Sequence, residues 1–131
     1  VVGQGIIVTL QDNPEIEIEA SDLRKLINEL KLAGAEAISV NDQRILNMTE
    51  IVDVSGTILI NTDRVVSPYV VRAIGDQTYL SSAISLKNSG FIDTYRKLGK
   101  TVEMSIENRV NVTAYNGRKN QLQQKYAQEV E

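Results

Sequence analysis

Neither histidine nor cysteine occurs anywhere in the 131 residues, and each absence closes a class of chemistry. Without His the chain has neither the usual general base near neutral pH nor the commonest metal ligand, so most triad hydrolases and zinc enzymes drop out. Without Cys there are no disulfides, no thiolate nucleophile and no thiolate metal site, a pattern compatible with the cytoplasm and with the outside of a cell alike. No apolar run reaches about 18 residues, the length that a membrane-spanning helix needs, and no secretory apolar segment is present. A surplus of positive charge is also missing. Lys and Arg number 14 against 17 Asp and Glu, a net charge of -3, so the clustered cationic field of a nucleic-acid binder is not expected. The first residue, Val1, is not a Met and stands close to a strand, which reads as a fragment with room for an anchor upstream.

What is present suits one ordinary domain. Apolar residues make up 42% and charged residues 24% of the chain, near the globular average, and a chain of this length buries roughly two thirds of its unfolded surface. The run GIIVTL, from Gly5 to Leu10, is apolar and β-branched and is bounded by Gly3 before it and by Asp12, Asn13 and Pro14 after it, so it predicts a buried strand. Ser21 is the expected helix cap, with Asp22 facing the positive end of the helix dipole. Leu23, Leu26, Ile27 and Leu30 then form one apolar stripe, and Gly34 stands where a left-handed terminating residue is wanted. Ala37, Ile38 and Val40 follow as a second strand, making a βαβ unit with parallel strands the expectation.

From Ile51 to Ile74 the pattern is β, broken at Ser55-Gly56 and at Asn61-Thr62-Asp63. Two antiparallel connections are expected, although Ser55-Gly56 reads equally as a turn or as a bulge within one strand. Pro68 puts the segment before Tyr69 at an edge or a strand start. Asp76 caps a second helix carrying Leu80, Ala83 and Ile84, which Asn88-Ser89-Gly90 ends; a third carries Phe91, Ile92, Tyr95 and Leu98 and closes at Gly99. Val102, Met104, Ile106, Val110, Val112 and Ala114 alternate as in a half-solvated antiparallel strand or hairpin. Leu122, Tyr126 and Val130 are spaced for one side of a terminal helix or tail. The fold class is α+β, of an α/β type. It is expected as a single domain over residues 1–115 followed by a C-terminal helix or tail over 116–131. A mixed sheet of about five strands carries two to three helices mainly on one face, with a ferredoxin-like plait as one variant.

Five ordered blocks carry a resemblance: GQGIIVTLQDN, DLRKLINELKLAGAEAISVNDQRI, GTILIN, PYVVRAIGD and VNVTAYNG. Together they resemble the bacterial YlxW/YlxX-type family (domain of unknown function 881, UPF0749-like) over nearly the whole chain. Thr113 stands where Pro is expected in relatives. The resemblance implies a single-pass bacterial membrane protein with a membrane helix, a coiled-coil stalk and this domain on the extracytoplasmic side, with a suspected link to cell division or envelope assembly. It brings no catalytic residues and no cofactor.

Candidate sites are few. Asn41, Asp42, Gln43 and Arg44 follow the second strand, at the end where open parallel sheets bind ligands, and Arg44 with the two amides could hold a small polar or anionic ligand. Against this stands plain turn chemistry, in which Asn41-Asp42 makes the turn and the Arg44 stem covers apolar surface. Asn61, Tyr69 and Arg72 form a second polar set, and Asn61 would join the first if the strands are neighbours, although Asn also adopts left-handed turns cheaply. Gly3-Gln4-Gly5 and Gly75-Asp76 lack the third glycine and the Lys-Ser/Thr of a phosphate loop. Glu15, Glu17 and Glu19 read as a solvated face before they read as cation ligands. The expectation is therefore a non-enzymatic scaffold or interaction domain with protein partners, itself included through an upstream coiled coil, and with no cofactor and no metal. The alternatives are a ligand-binding module using Asn41, Gln43, Arg44 and Asn61, and more distantly an enzyme built on Asp, Glu, Lys or Tyr.

Overall fold

A computed structural model of the chain describes residues 1–13, 16–85 and 91–113. Its first strand, β1 (Val2–Gln11), leads to helix α1 (Ala20–Leu32), on which Leu23, Leu26, Ile27 and Leu30 are all buried. The helix does not begin at the expected Ser21. Glu19 is the cap: its backbone N–H donates to Asp22 Oδ2 at 2.8 Å, and the Ala20 N–H donates to both carboxylate oxygens of Asp53 at 3.2 Å. Two carboxylates at a helix N-terminus outcompete one hydroxyl, because they answer the orphan amides and the dipole together. At the other end Gly34 has φ +93°, with its N–H bonded to Lys31 O at 3.1 Å and that of Ala35 to Leu30 O at 3.0 Å. These are the two crossed bonds of a Schellman termination.

Strands β2 (Ala37–Val40) and β3 (Gln43–Ile45) follow, then β4 (Ile51–Val54), β5 (Thr57–Ile60), β6 (Asp63–Val65) and β7 (Tyr69–Ile74). Helices α2 (Gln77–Ser85) and α3 (Phe91–Lys97) precede the long strand β8 (Thr101–Asn111). The main sheet has the order β3-β2-β7-β1-β8, and β4-β5-β6 form a second, three-stranded sheet. The α+β class and the five-stranded sheet match the expectation, but the parallel neighbours do not. β1 and β2 run the same way, yet β7 lies between them and pairs antiparallel with both, so that Ile74 faces Gly5 on one side and Ala37 on the other. The unit is a split βαβ. β7 can take this central place because Val71 and Ala73 serve one face and Ile74 the other, while Pro68 stands just outside the strand.

Both connections of the small sheet are two-residue turns with both residues left-handed: Ser55 and Gly56 at φ +52° and +80°, Asn61 and Thr62 at φ +49° and +75°. This handedness matches the twist of paired strands, so Ser55-Gly56 is a turn and not a bulge. The small sheet shares the main core. Ile51, Ile58, Ile60 and Val65 cluster with Ile6, Val8 and Leu10 of β1 and with the buried residues of α1, α2 and α3. Asp76 caps α2 by accepting the Tyr79 N–H at 3.0 Å, and Leu80 and Ile84 are buried beneath it. On α3 Ile92 and Tyr95 are buried, whereas Leu98, expected on the same side, is exposed. Asn88-Ser89-Gly90, Ala114 and the segment 116–131 with Leu122, Tyr126 and Val130 lie outside the described residues.

The even alternation expected along β8 breaks partway. Gly5 faces Glu107 but Gly3 faces Val110, so one extra residue is accommodated on β8 between them. Such a bulge reverses which face the later side chains meet. Val102 belongs to the helix-covered core, whereas Val110 and Val112 cluster with Ile7, Ala37 and Ile74 on the other face, and Ile106 is left exposed. Two carbonyls of β8 accept bonds from side chains. Arg96 Nε and Nη2 donate to Val102 O at 3.1 and 2.9 Å, and Gln77 Nε2 donates to Glu107 O at 2.7 Å. Filled carbonyls and a bulge are means of closing an edge strand to further pairing.

Two buried features hold the elements in place. Lys100 Nζ donates to Asp22 Oδ2 at 2.8 Å, joining the start of α1 to the turn before β8, and both side chains are nearly buried. Tyr95 lies beside them, with Lys100 Nζ 5.1 Å from its ring centre. Burial, and then the hydrogen bond to Asp22 and its charge, hold the Tyr95 phenol well above its ordinary range. The other feature is Gly5, where a Cβ would lie 1.9 Å from the Ala73 carbonyl oxygen. Gly5→Ala is therefore expected to cost about 3 kcal/mol, the upper part of the usual range for an overpacked site. A denaturation midpoint unchanged from the parent would show that the β1–β7 contact yields freely.

Candidate functional site

The described surface has one sizeable concavity near an expected site residue, and it forms where α1, the start of β2 and the end of β3 meet the connection to β4. The Leu46 N–H donates to Thr49 Oγ1 at 2.7 Å, and the Thr49 N–H donates to Leu46 O at 3.1 Å. This local closure pushes Asn47 and Met48 outward, leaving Met48 92% exposed. On one side of the loop is a hollow of about 580 Å³, with Ala35, Ala37, Ile38 and Ile45 in its lining and Lys31, Glu36, Arg44 and Met48 around it. On the other side a smaller hollow of about 180 Å³ adds Arg24, Ile27 and Asn28 from α1. The two share Lys31, Ile45, Leu46 and Asn47, so they adjoin, and together they are treated as one groove beside α1.

Of the four expected ligand residues, only Arg44 lines this groove. Its Nη1 donates to Thr113 O at 3.3 Å. Asn41 is occupied with backbone: at φ +52° it accepts the Val70 N–H on Oδ1 at 2.8 Å and donates from Nδ2 to Val66 O at 3.4 Å. Asn61 does the same in the small sheet, accepting the Glu50 N–H at 3.0 Å from φ +49°. Gln43 is a half-buried strand residue opposite Val40. The four do not converge, because Asn61 belongs to the other sheet. Asn41 and Asn61 instead fasten tight turns, as short amide side chains do in left-handed conformations.

The second polar set is also dispersed. Tyr69 is buried, and its phenol is held above the ordinary range by burial and then by the charges of Asp12, Asp53 and Glu17. Arg72 lies in the central strand opposite Ile7 and Ser39, on the face away from the main core. Sequence reasoning missed Lys31, Leu46 and Met48. The one available signal was the spacing of Arg24, Ile27, Asn28 and Lys31, which places them along a single side of α1.

Chemically the groove is equipped to bind. Arg24, Lys31 and Arg44 line it against one carboxylate, Glu36, and neither Lys31 nor Arg44 joins an ion pair among the described residues. No nucleophile with an adjacent base lines it. Among the described residues no group of three carboxylates is placed to hold a metal ion, and no helix is long and apolar enough to cross a membrane.

Comparison with known proteins places this architecture. The chain is 34% identical over 132 residues to UPF0749 protein Rv1825 of Mycobacterium tuberculosis, an alignment covering 98% of this chain and 44% of that protein. With UPF0749 protein YlxW of Bacillus subtilis it shares 31% identity over 102 residues, covering 71% of this chain and 44% of the relative. YlxX of the same bacterium is 38% identical over 69 residues. The chain thus spans less than half the length of these curated relatives. A crystal structure of an uncharacterized conserved protein from Mycobacterium tuberculosis superposes with a TM-score of 0.78 at 33% identity, covering 88% of this chain and 82% of that one. The model of a bacterial protein family of unknown function, DUF881, matches residues 1–128, and the chain belongs to that family.

Proposed function

We propose that this domain is a non-enzymatic interaction module of a membrane-anchored bacterial envelope protein, carried on the extracytoplasmic side and serving envelope assembly or division. The observation that supports it best is the groove: an apolar lining beside Lys31 and Arg44, which join no ion pair among the described residues, and a Met48 that is almost wholly exposed. Apolar side chains left in solvent around a concavity are the mark of a surface that a partner covers. The anchor and the location rest on the family resemblance, and the relatives' additional length leaves space for a membrane segment and a stalk.

A second reading, a small anionic ligand at Arg44, has one observation in its favour, since Lys31 lines the same hollow. Because the chain has no cysteine, the test is direct. In the full-length protein, freed of any other cysteine, Met48→Cys is treated in intact cells with a membrane-impermeant maleimide, and a photo-crosslinking residue at the same position reports the neighbour. Labelling before lysis together with a discrete crosslinked protein is the expected result. Labelling only after lysis contradicts the location, and absence of a crosslink at position 48 contradicts the interaction module.

A further inference from the structure

We infer that the groove between α1 and the Leu46–Thr49 loop receives an acidic peptide segment bearing at least one apolar anchor; this rests on the interaction-module reading and names the chemistry of its partner. The argument is one of complementarity. The chain as a whole is acidic, with 17 carboxylates against 14 cations, yet Arg24, Lys31 and Arg44 stand here against Glu36 alone. Such a local reversal of sign draws a partner of opposite charge.

The shape narrows the occupant. The groove follows one side of α1 from Arg24 to Lys31 and continues to Ala35, a path of roughly 15 Å at the rise of a helix, which suits four or five residues of extended chain. A small anion would fill only one end of it. Ile45 and Leu46 line both halves, and Met48, adjoining the larger one, is an adaptable, unbranched side chain that can fold over an apolar anchor.

The test begins with the purified 131-residue chain panned against a random peptide library at low salt. Enriched peptides are then titrated into isotope-labelled protein. Acidic peptides with an apolar residue are expected to be selected, to shift the amides around Lys31, Arg44 and Met48, and to weaken as salt is raised. Lys31→Glu combined with Arg44→Glu should lower their affinity by about tenfold or more, whereas Arg109→Glu on β8 should not. Met48→Asp, at a position too exposed to disturb folding, should weaken them severalfold.

Selection of basic or uncharged peptides, or of none, overturns the proposal. Acidic peptides that ignore reversal at 31 and 44 overturn the groove as their site and leave the interaction module standing. Inorganic phosphate or phosphatidylglycerol vesicles shifting the same amides when peptides do not also overturn it. The phosphate result would carry the interaction module down with it in favour of the small-ligand reading.

Discussion

Lys100→Met is expected to destabilise the protein by about 3–5 kcal/mol, the usual penalty for removing one partner of a buried ion pair. The carboxylate that it leaves behind, Asp22, is only 6% exposed and sits 2.8 Å from the ammonium in the intact protein. Asp22 would keep the Glu19 N–H and the positive end of α1, which soften the loss without replacing a full charge. The double variant Asp22→Asn with Lys100→Met should recover part of the stability, since no unpaired charge is then buried. Urea denaturation of the two single variants and the double variant at neutral pH measures the coupling. A single-variant loss under about 1 kcal/mol would mean that water reaches the pair and that it behaves as a surface bridge.

Leu26→Ala should cost about 2–5 kcal/mol, the range for a fully buried leucine whose cavity closes only in part. Leu26 has no exposure at all in the centre of the α1 stripe, between the helix and the sheet. Leu32, six residues on and 81% exposed, is the internal comparison: its alanine variant should stay within about 0.5 kcal/mol of the parent. Equal losses at the two positions would mean that the stripe does not face the core.

These two positions also show what the sequence could and could not disclose. The stripe containing Leu26 and the termination at Gly34 are local patterns, each contained within a few residues, and both are found where the spacing put them. The start of α1 lies at Glu19 and not at the expected Ser21, in part because the Ala20 N–H draws on Asp53, 33 residues downstream. Lys100, likewise, meets Asp22 across 78 residues. The insertion of β7 between β1 and β2 is a nonlocal choice of the same kind, since nothing within any one strand announces its neighbour. At the site, the left-handed turns at Asn41 and Asn61 were legible because backbone conformation in a two-residue loop is a local matter, whereas the side-chain partners of Asn41, Val66 and Val70, lie 25 and 29 residues away. The groove was not legible, for Lys31, Arg44 and Met48 belong to three segments that only the folded chain brings together.

The side chains lying along β8 bear on a different matter, the behaviour of many copies in one place. A border eleven residues long would ordinarily invite a second molecule to add its own strand. Here a newcomer would have to strip Arg96 from Val102, then flatten the irregularity before Val110, before a continuous ladder could form. Copies held side by side on tethers would thus reach high local concentration without knitting into fibrils. Neighbouring domains would stay separate beads, each with its groove still open.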